Sequence, residues 1–337
     1  LDRWVDRTDL PNLIHATSSE VRDRNGRLLR AYTVEDGLWR MPVSSDQVDP
    51  LFVDMLIAYE DKRFWHHNGV DPLAMARAGA QALRHGRIVS GASTLTMQVA
   101  RLLEDSGTGH WRGKLRQIRL ALALERQMHK RDILDLYLHL APYGGNVEGV
   151  RAASLIWLGK EPARLTPAEA ALLVALPQAP ESRRPDRHPD AARVARDRVL
   201  MRMVRAGVID LDTAQVSQRD AAPLGRRPMP QLAPHLADRA VAEGAGRHDL
   251  TLDGPLQRAL ERLTTRHMTG RDERLSMAVV VADHASGEIL ASVGSPVYRD
   301  SAGQGFVDMT IAQRSPGSTL KPLVYGLAFD RGLAHPE

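Results

Sequence analysis

Glu60-Asp61-Lys62-Arg63-Phe64-Trp65-His66-His67-Asn68-Gly69-Val70-Asp71 gathers acids, histidines and aromatics densely enough for proton chemistry. Val53, Leu56 and Ile57 precede it at helical spacing, so Glu60 is expected at the C-terminal end of a helix, opening into a loop that Gly69 can turn. A carboxylate there faces the negative end of the helix dipole, and beside Phe64 or Trp65 it loses water. Both effects favour its protonated form and suit a general acid or base. Taken alone, the same residues also read as a solvated acidic turn. Further along, Gly91-Ala92-Ser93-Thr94-Leu95-Thr96-Met97-Gln98-Val99-Ala100-Arg101 offers hydroxyls, an amide and a guanidinium. Such a segment can hold phosphate or sugar oxygens at a helix N-terminus, or simply cap a core helix. Near the end of the chain, Ser318 and Lys321 stand at i and i+3, where a desolvated lysine can take a serine proton. Ser-x-x-Lys by itself is more often a surface pair.

The elements that must position these groups are legible from pattern. Val21, Leu28 and Leu29 flank Asp23-Arg24-Asn25-Gly26, a hairpin signal. From about residue 49 to 207 the apolar spacing is helical almost throughout. Thr166-Pro167-Ala168-Glu169 reads as a capping box with proline at the first helical position, and a helix over about 191–206 should stop at Gly207. Pro223, Pro228, Pro230 and Pro234 mark an extended linker. A short helix over about 256–268 follows, then apolar runs at 277–282 and 289–293 about Ser286-Gly287, a second hairpin and a second domain.

Composition sets limits. With 337 residues the chain is long enough for about two domains, and 43% apolar residues exclude a disordered chain. The longest uninterrupted apolar run, 170–176, falls far short of the ~20 residues of a spanning helix. The absence of cysteine excludes disulfides, thiolate zinc sites and cysteine nucleophiles. His66, His67 and His139 lack the i, i+4 pairing of a zinc helix, so no metal ligand is assigned. Five lysines stand against 40 arginines, which draws attention to each lysine. The net charge of +4 is compatible with phosphate-bearing partners and ordinary for an enzyme. Leu1 in place of methionine suggests a trimmed or processed N-terminus.

Glu-Asp-x-x-Phe-x-x-His-x-Gly-x-Asp followed by Gly-x-Ser-Thr-x-Thr-x-Gln resembles the peptidoglycan glycosyltransferase domain of class A penicillin-binding proteins. The stretch from Arg112-Gly113-Lys114 to Glu125, then Lys130 to Leu138, Gly144, Gly149, and 165–180 agree in order, and the resemblance runs on through 250–253 to Ser318-Thr319-Leu320-Lys321. Met97 and Ala-Pro-Tyr-Gly-Gly at 141–145 lean toward the 1C type.

The resemblance implies a multidomain chain: a lead-in hairpin over 1–45, a mainly α, lysozyme-like glycosyltransferase domain over 46–210, a linker over 211–272, and a truncated start of an α/β transpeptidase domain over 273–337. It implies polymerisation of lipid II with inversion at the anomeric carbon, the growing chain leaving a lipid pyrophosphate. Glu60 corresponds to the family's catalytic base, and Ser318 and Lys321 to the transpeptidase nucleophile and its base. Asp61, Phe64, His67, Asp71, Ser93, Thr94, Thr96, Gln98, Arg101, Lys114 and Gln117 take substrate-binding positions, with Arg101 and Lys114 beside the pyrophosphate. A divalent cation (Mg or Mn) is implied without assigned ligands. Gln117 departs from the family's glutamate, and an amide can be neither base nor charged ligand. His139 replaces a usual asparagine. Partners implied are lipid II, the glycan chain, the membrane surface and other cell-wall synthesis proteins, with no nucleic acid, at the periplasmic face of a bacterial inner membrane. Residues 72–90, with Leu73, Met75, Leu83 and Ile88 among Arg77, Arg84, His85 and Arg87, are expected to form the membrane-facing edge. Two other readings stand beside this one: a lysozyme-like hydrolase, and a catalytically weak lipid II-binding scaffold. A hydrolase would want a second carboxylate, and Gln117 removes the obvious candidate.

Overall fold

The structure, a computed structural model, describes residues 2–85, 93–104, 111–272, 275–298 and 304–335. The chain runs α1 (Asp2–Asp6), β1 (Ser19–Arg22), β2 (Leu28–Tyr32), β3 (Trp39–Arg40), α2 (Pro50–Glu60), α3 (Pro72–His85), α4 (Leu95–Glu104), α5 (Trp111–Gln127), α6 (Lys130–Leu140), β4 (Val147–Glu148) and α7 (Val150–Ala153). It continues through α8 (Pro167–Ala175), α9 (Pro189–Ala206), α10 (Leu211–Arg219), α11 (Pro234–Ala242), β5 (Arg247–Asp249), α12 (Gly254–Met268), β6 (Val279–Ala282), β7 (Ile289–Val293) and α13 (Lys321–Asp330). Among the described residues no helix is long and apolar enough to cross a membrane.

Two compact units result. The first comprises Leu1–Glu20, Arg30–Gln231 and Gly244–His248 and is mainly α. Its centre is α8, buried from Ala168 to Ala175 apart from Glu169, as expected of a helix apolar nearly all round. Thr166 starts it, accepting from the Glu169 N–H while the Glu169 carboxylate accepts from the Thr166 N–H. Helices α2, α9 and α10 pack on α8, and α4 packs on α5 and α6. Asp49 caps α2 through Leu51 N and binds Leu165 N with its other oxygen, tying the start of α2 to the approach to α8. α9 ends at Gly207, left-handed at φ 75°. The parallel pair of β3 and β4, Trp39 opposite Val147 and Arg40 opposite Glu148, is too short and too distant in sequence to show in periodicity. Arg151, 5% exposed, bonds both carboxylate oxygens of Glu20 and both of Glu161.

The second unit comprises Val21–Leu29, Leu232–Glu243 and Asp249–Glu337. Asp23 builds the first hairpin's turn by accepting from Asn25 N and Arg27 N, with Gly26 at φ 75°. β6 and β7 pair antiparallel, and α12 is fastened to β7 by Gln257, whose amide exchanges two 2.8 Å bonds with the Ser292 backbone. Residues 211–272, read from sequence as linker, form α10, α11, β5 and α12. The prolines keep 220–230 free of helix and strand, while Asp210 and Asp253 cap helices on either side of them.

Candidate active site

α2 ends on Glu60, as the apolar spacing requires, and Asp61 turns the chain at φ −155°. The Asp61 carboxylate accepts from Leu95 N, at the N-terminus of α4, at 2.9 Å and contacts His67 Nε2 at 2.8 Å. Thr94 caps α4 through Met97 N and donates its hydroxyl to Gly69 O at 2.6 Å. Gly69 lies at φ +86°, and a Cβ there would stand 2.6 Å from Ala121 O on α5, so no other residue fits. The two segments that look most chemical in the sequence are thus docked on one another and on α5.

This docking sorts the sequence-derived site residues. Asp61, Phe64, His67, Asp71, Thr94 and Thr96 are buried, and their contacts run to protein groups. Asp71 caps α3 through Ala74 N and bonds Arg63, whose guanidinium holds the carboxyl down at about 2. Phe64 lies 4.5 Å beneath the Lys130 ammonium, which also bonds Glu125 at 2.6 Å. Thr96 donates to the same Glu125 oxygen at 2.6 Å. These six brace the site.

The remaining motif groups are less enclosed or lack a charged partner among the described residues. Glu60 is half-buried, and its two carboxylate oxygens accept from two amides: Oε2 from Gln98 Nε2 and Oε1 from Gln178 Nε2, both at 2.9 Å. Lys114 on α5 hydrogen-bonds Ser93 Oγ. Its ammonium is pushed below the usual lysine range by burial first and then by the charge of Arg101 on the packed helix α4. The buried Tyr137 phenol feels Glu60 and Arg101 in opposite senses, although burial is the main reason it stays protonated. Gln117 is buried one turn along α5 from Lys114. Sequence reading missed Gln178 and the groups that hold it. Gln178 lies inside the 165–180 stretch that carries the resemblance, between two prolines just after α8, but nothing in its type marks it out.

Among the described residues no three His, Asp or Glu side chains converge as a metal site, and Gln117 contributes a neutral amide. Among the described residues no protein groups would hold a divalent cation by themselves, whereas a cation carried on substrate phosphates would need only one or two carboxylates.

His139 sits beside Arg40, His15 and the Met41 backbone. Burial, then Arg40 and His15, push its imidazole down to about 4. The folded state therefore holds it neutral while the unfolded chain takes a proton near pH 6.5. The stability it contributes is present above 6.5 and is lost as pH falls from there toward 4, by up to about 3 kcal/mol. We expect urea titrations of His139→Asn to lose less stability than wild type between those pH values. Parallel losses would show that the ring is already solvated.

On α3, Leu73 is 66% exposed, Met75 38% exposed, and Arg77 also faces solvent. The side chains of Leu83, Arg84 and His85, and residues 86–92 with Arg87, Ile88, Gly91 and Ala92, lie outside the described set. Ser318 stands in a single 3₁₀ turn and Lys321 opens α13, both exposed. Leu323, Val324, Tyr325 and Leu327 of α13 are also exposed.

A transglycosylase family model matches residues 25–204, and a penicillin binding protein transpeptidase domain model matches residues 277–337. Among curated proteins, penicillin-binding protein 1C of Escherichia coli is 46% identical over 93% of this chain and 41% of its own length. Penicillin-binding protein 1F of Bacillus subtilis is 30% identical over 95% of the chain and 46% of its own length. Penicillin-binding protein 1A of Aquifex aeolicus is 39% identical over 57% of the chain and 26% of its own length. The chain spans less than half the length of each of these relatives. With one model covering more than half of the sequence and the second following it in order, the chain belongs to the transglycosylase family, joined to part of a transpeptidase domain as in class A penicillin-binding proteins of the 1C type.

Proposed function

We propose that this chain is a peptidoglycan glycosyltransferase that polymerises lipid II into glycan strands. The observation that carries the reading is a half-buried carboxylate aimed by two amides, with Lys114 and Arg101 on the packed helices α5 and α4, neither of them in an ion pair among the described residues. The 4-hydroxyl of the acceptor attacks the anomeric carbon of the growing chain from the face opposite the pyrophosphate. Glu60 takes the hydroxyl proton as the new C–O bond forms, and the bond to the pyrophosphate oxygen breaks with its electron pair. Lys114 and Arg101 meet the charge that develops on that oxygen, and in a cleft poor in water this compensation is worth most. A lysozyme-like hydrolysis gains no support, because the position that would offer a second carboxylate is Gln117.

The exposed Leu73, Met75 and Arg77 of α3 support placing the domain against an anionic membrane surface, at the periplasmic face of the inner membrane, where lipid II and other cell-wall synthesis proteins would be its partners. The test is purified chain with labelled lipid II, presented in detergent and in anionic vesicles. Long strands support polymerisation, faster growth on vesicles supports the membrane edge, and cleaved polymer or unreacted lipid II overturns the reading. In the same preparation fluorescent penicillin should leave Ser318 unlabelled. That serine lies exposed in the 3₁₀ turn leading into α13, whose first residue Lys321 is also exposed, and acylation needs the oxyanion donors and walls that a nucleophile alone does not supply. Stoichiometric labelling would contradict this.

A further inference from the structure

Gln178 lies exposed at the end of the single 3₁₀ turn Leu176–Gln178 that follows α8. An exposed glutamine would ordinarily sample many rotamers, but both ends of this amide are held. Its Oε1 accepts from Arg183 Nη1 at 3.3 Å and, at 3.5 Å, from the Tyr59 hydroxyl. Two donors on one oxygen decide which way the amide points, so the Nε2 end must face Glu60 Oε1. The supports are themselves fixed. Arg183 donates to Ala175 O at 2.7 Å, at the end of α8. Tyr59 is gripped by Arg202 of α9, which stacks 4.3 Å over its ring and donates at 2.7 Å to Tyr59 O, an otherwise open carbonyl in the last turn of α2. A line of hydrogen bonds thus runs from the α8 and α9 scaffold to one oxygen of Glu60, while Gln98 of α4 holds the other.

We propose that Gln178 is a positioning residue for the glycosyl transfer: it fixes the orientation of the Glu60 carboxylate so that one oxygen is presented to the acceptor hydroxyl. The proposal rests on the reading of Glu60 as the base. A base must lie within hydrogen-bond reach of its proton and correctly aligned, and small misplacements cost rate without costing substrate affinity. Gln178 therefore acts on kcat and leaves KM for lipid II alone. Were it instead a contact to substrate sugar, its loss would raise KM, and a carboxylate, itself a good acceptor for sugar hydroxyls, would replace it well.

The test compares Gln178→Met, which keeps the shape and removes the donor, with Gln178→Glu, which places a second carboxylate against Glu60. The full chain and labelled lipid II are used, with Glu60→Gln as the control. We expect kcat to fall roughly tenfold for Gln178→Met and roughly a hundredfold for Gln178→Glu, with KM within about twofold of wild type and melting temperatures unchanged for so exposed a side chain. Inactive Glu60→Gln with unaltered kcat in Gln178→Met overturns the positioning role alone. A raised KM, or Gln178→Glu outperforming Gln178→Met, also overturns it in favour of substrate contact. Active Glu60→Gln overturns the base assignment beneath it.

Discussion

Glu60→Gln should lower polymerisation of lipid II by about 10²-fold or more, the usual scale for losing a general base. The substitution keeps the side chain's length but leaves no site for the acceptor's proton. It also disturbs the surroundings in a definite way. Gln98 and Gln178 each aim an N–H at this side chain, and a carboxylate satisfies both because each of its oxygens accepts. A glutamine at position 60 offers one oxygen and one NH₂, so one neighbour must turn away or face another donor. Glu60→Asp separates the two effects, since it retains an acceptor for both amides and the proton but withdraws by one methylene. We therefore expect Glu60→Asp to keep measurable activity below wild type and Glu60→Gln to keep almost none. Both are read as strand length and rate from labelled lipid II. Near-normal turnover in Glu60→Gln would remove Glu60 from the role of base.

Local signals in the sequence were strong wherever one residue dictates a backbone state. Thr166-Pro167-x-Glu169 begins α8, Gly207 ends α9, and Ser286-Gly287 turns β6 into β7, because capping, left-handed φ and turn chemistry act over only a few residues. Glu60 falls on the last residue of α2 because the apolar face of that helix runs out there. Pairings that depend on distant chain segments left no such trace. The β3–β4 pair joins residues more than a hundred positions apart, and neither strand exceeds two residues. Arg151 reads in the sequence as one more basic side chain of a helix, yet it is buried between Glu20 and Glu161.

The sequence pointed to the segments that the fold brings together but not to how their side chains are bonded. The motif residues are indeed gathered, but a sequence pattern treats Asp61, Asp71 and Glu60 as equivalent acids. Only the hydrogen bonds separate them. Asp61 is committed to Leu95 N and His67, Asp71 to Arg63 and Ala74 N, and Glu60 alone of the three is held by neutral amides. Neutral donors on both oxygens orient the carboxylate without engaging it in an ion pair. Gln178 escaped attention because its meaning comes from Tyr59, Arg183 and Arg202, none of which is special by type or spacing.

Lys114→Met should also cost about 10²- to 10³-fold in polymerisation rate, through the leaving group. Lys114 lies on α5 and Arg101 on α4, which pack together, and the proton affinity of the ammonium is lowered by desolvation first and by the charge of Arg101 second. Like charges that depress one another's proton affinity are costly in the free protein and become favourable when an anion arrives. A pyrophosphate supplies that anion, and its charge grows as the glycosidic bond breaks, so the pair stabilises the transition state more than the bound substrate. Methionine keeps the aliphatic stem and removes the charge. It also leaves Ser93 Oγ without its ammonium partner, so the loss should appear in kcat more than in protein stability. Lys114→Arg restores charge but spreads it over a planar fork that cannot reproduce a single point contact, and should recover part of the rate. Inorganic pyrophosphate should inhibit the wild-type chain, and less effectively inhibit Lys114→Met. If Lys114→Met polymerises at the wild-type rate and is equally sensitive to pyrophosphate, the leaving group lies elsewhere and the cleft must be read from Glu60 in another direction.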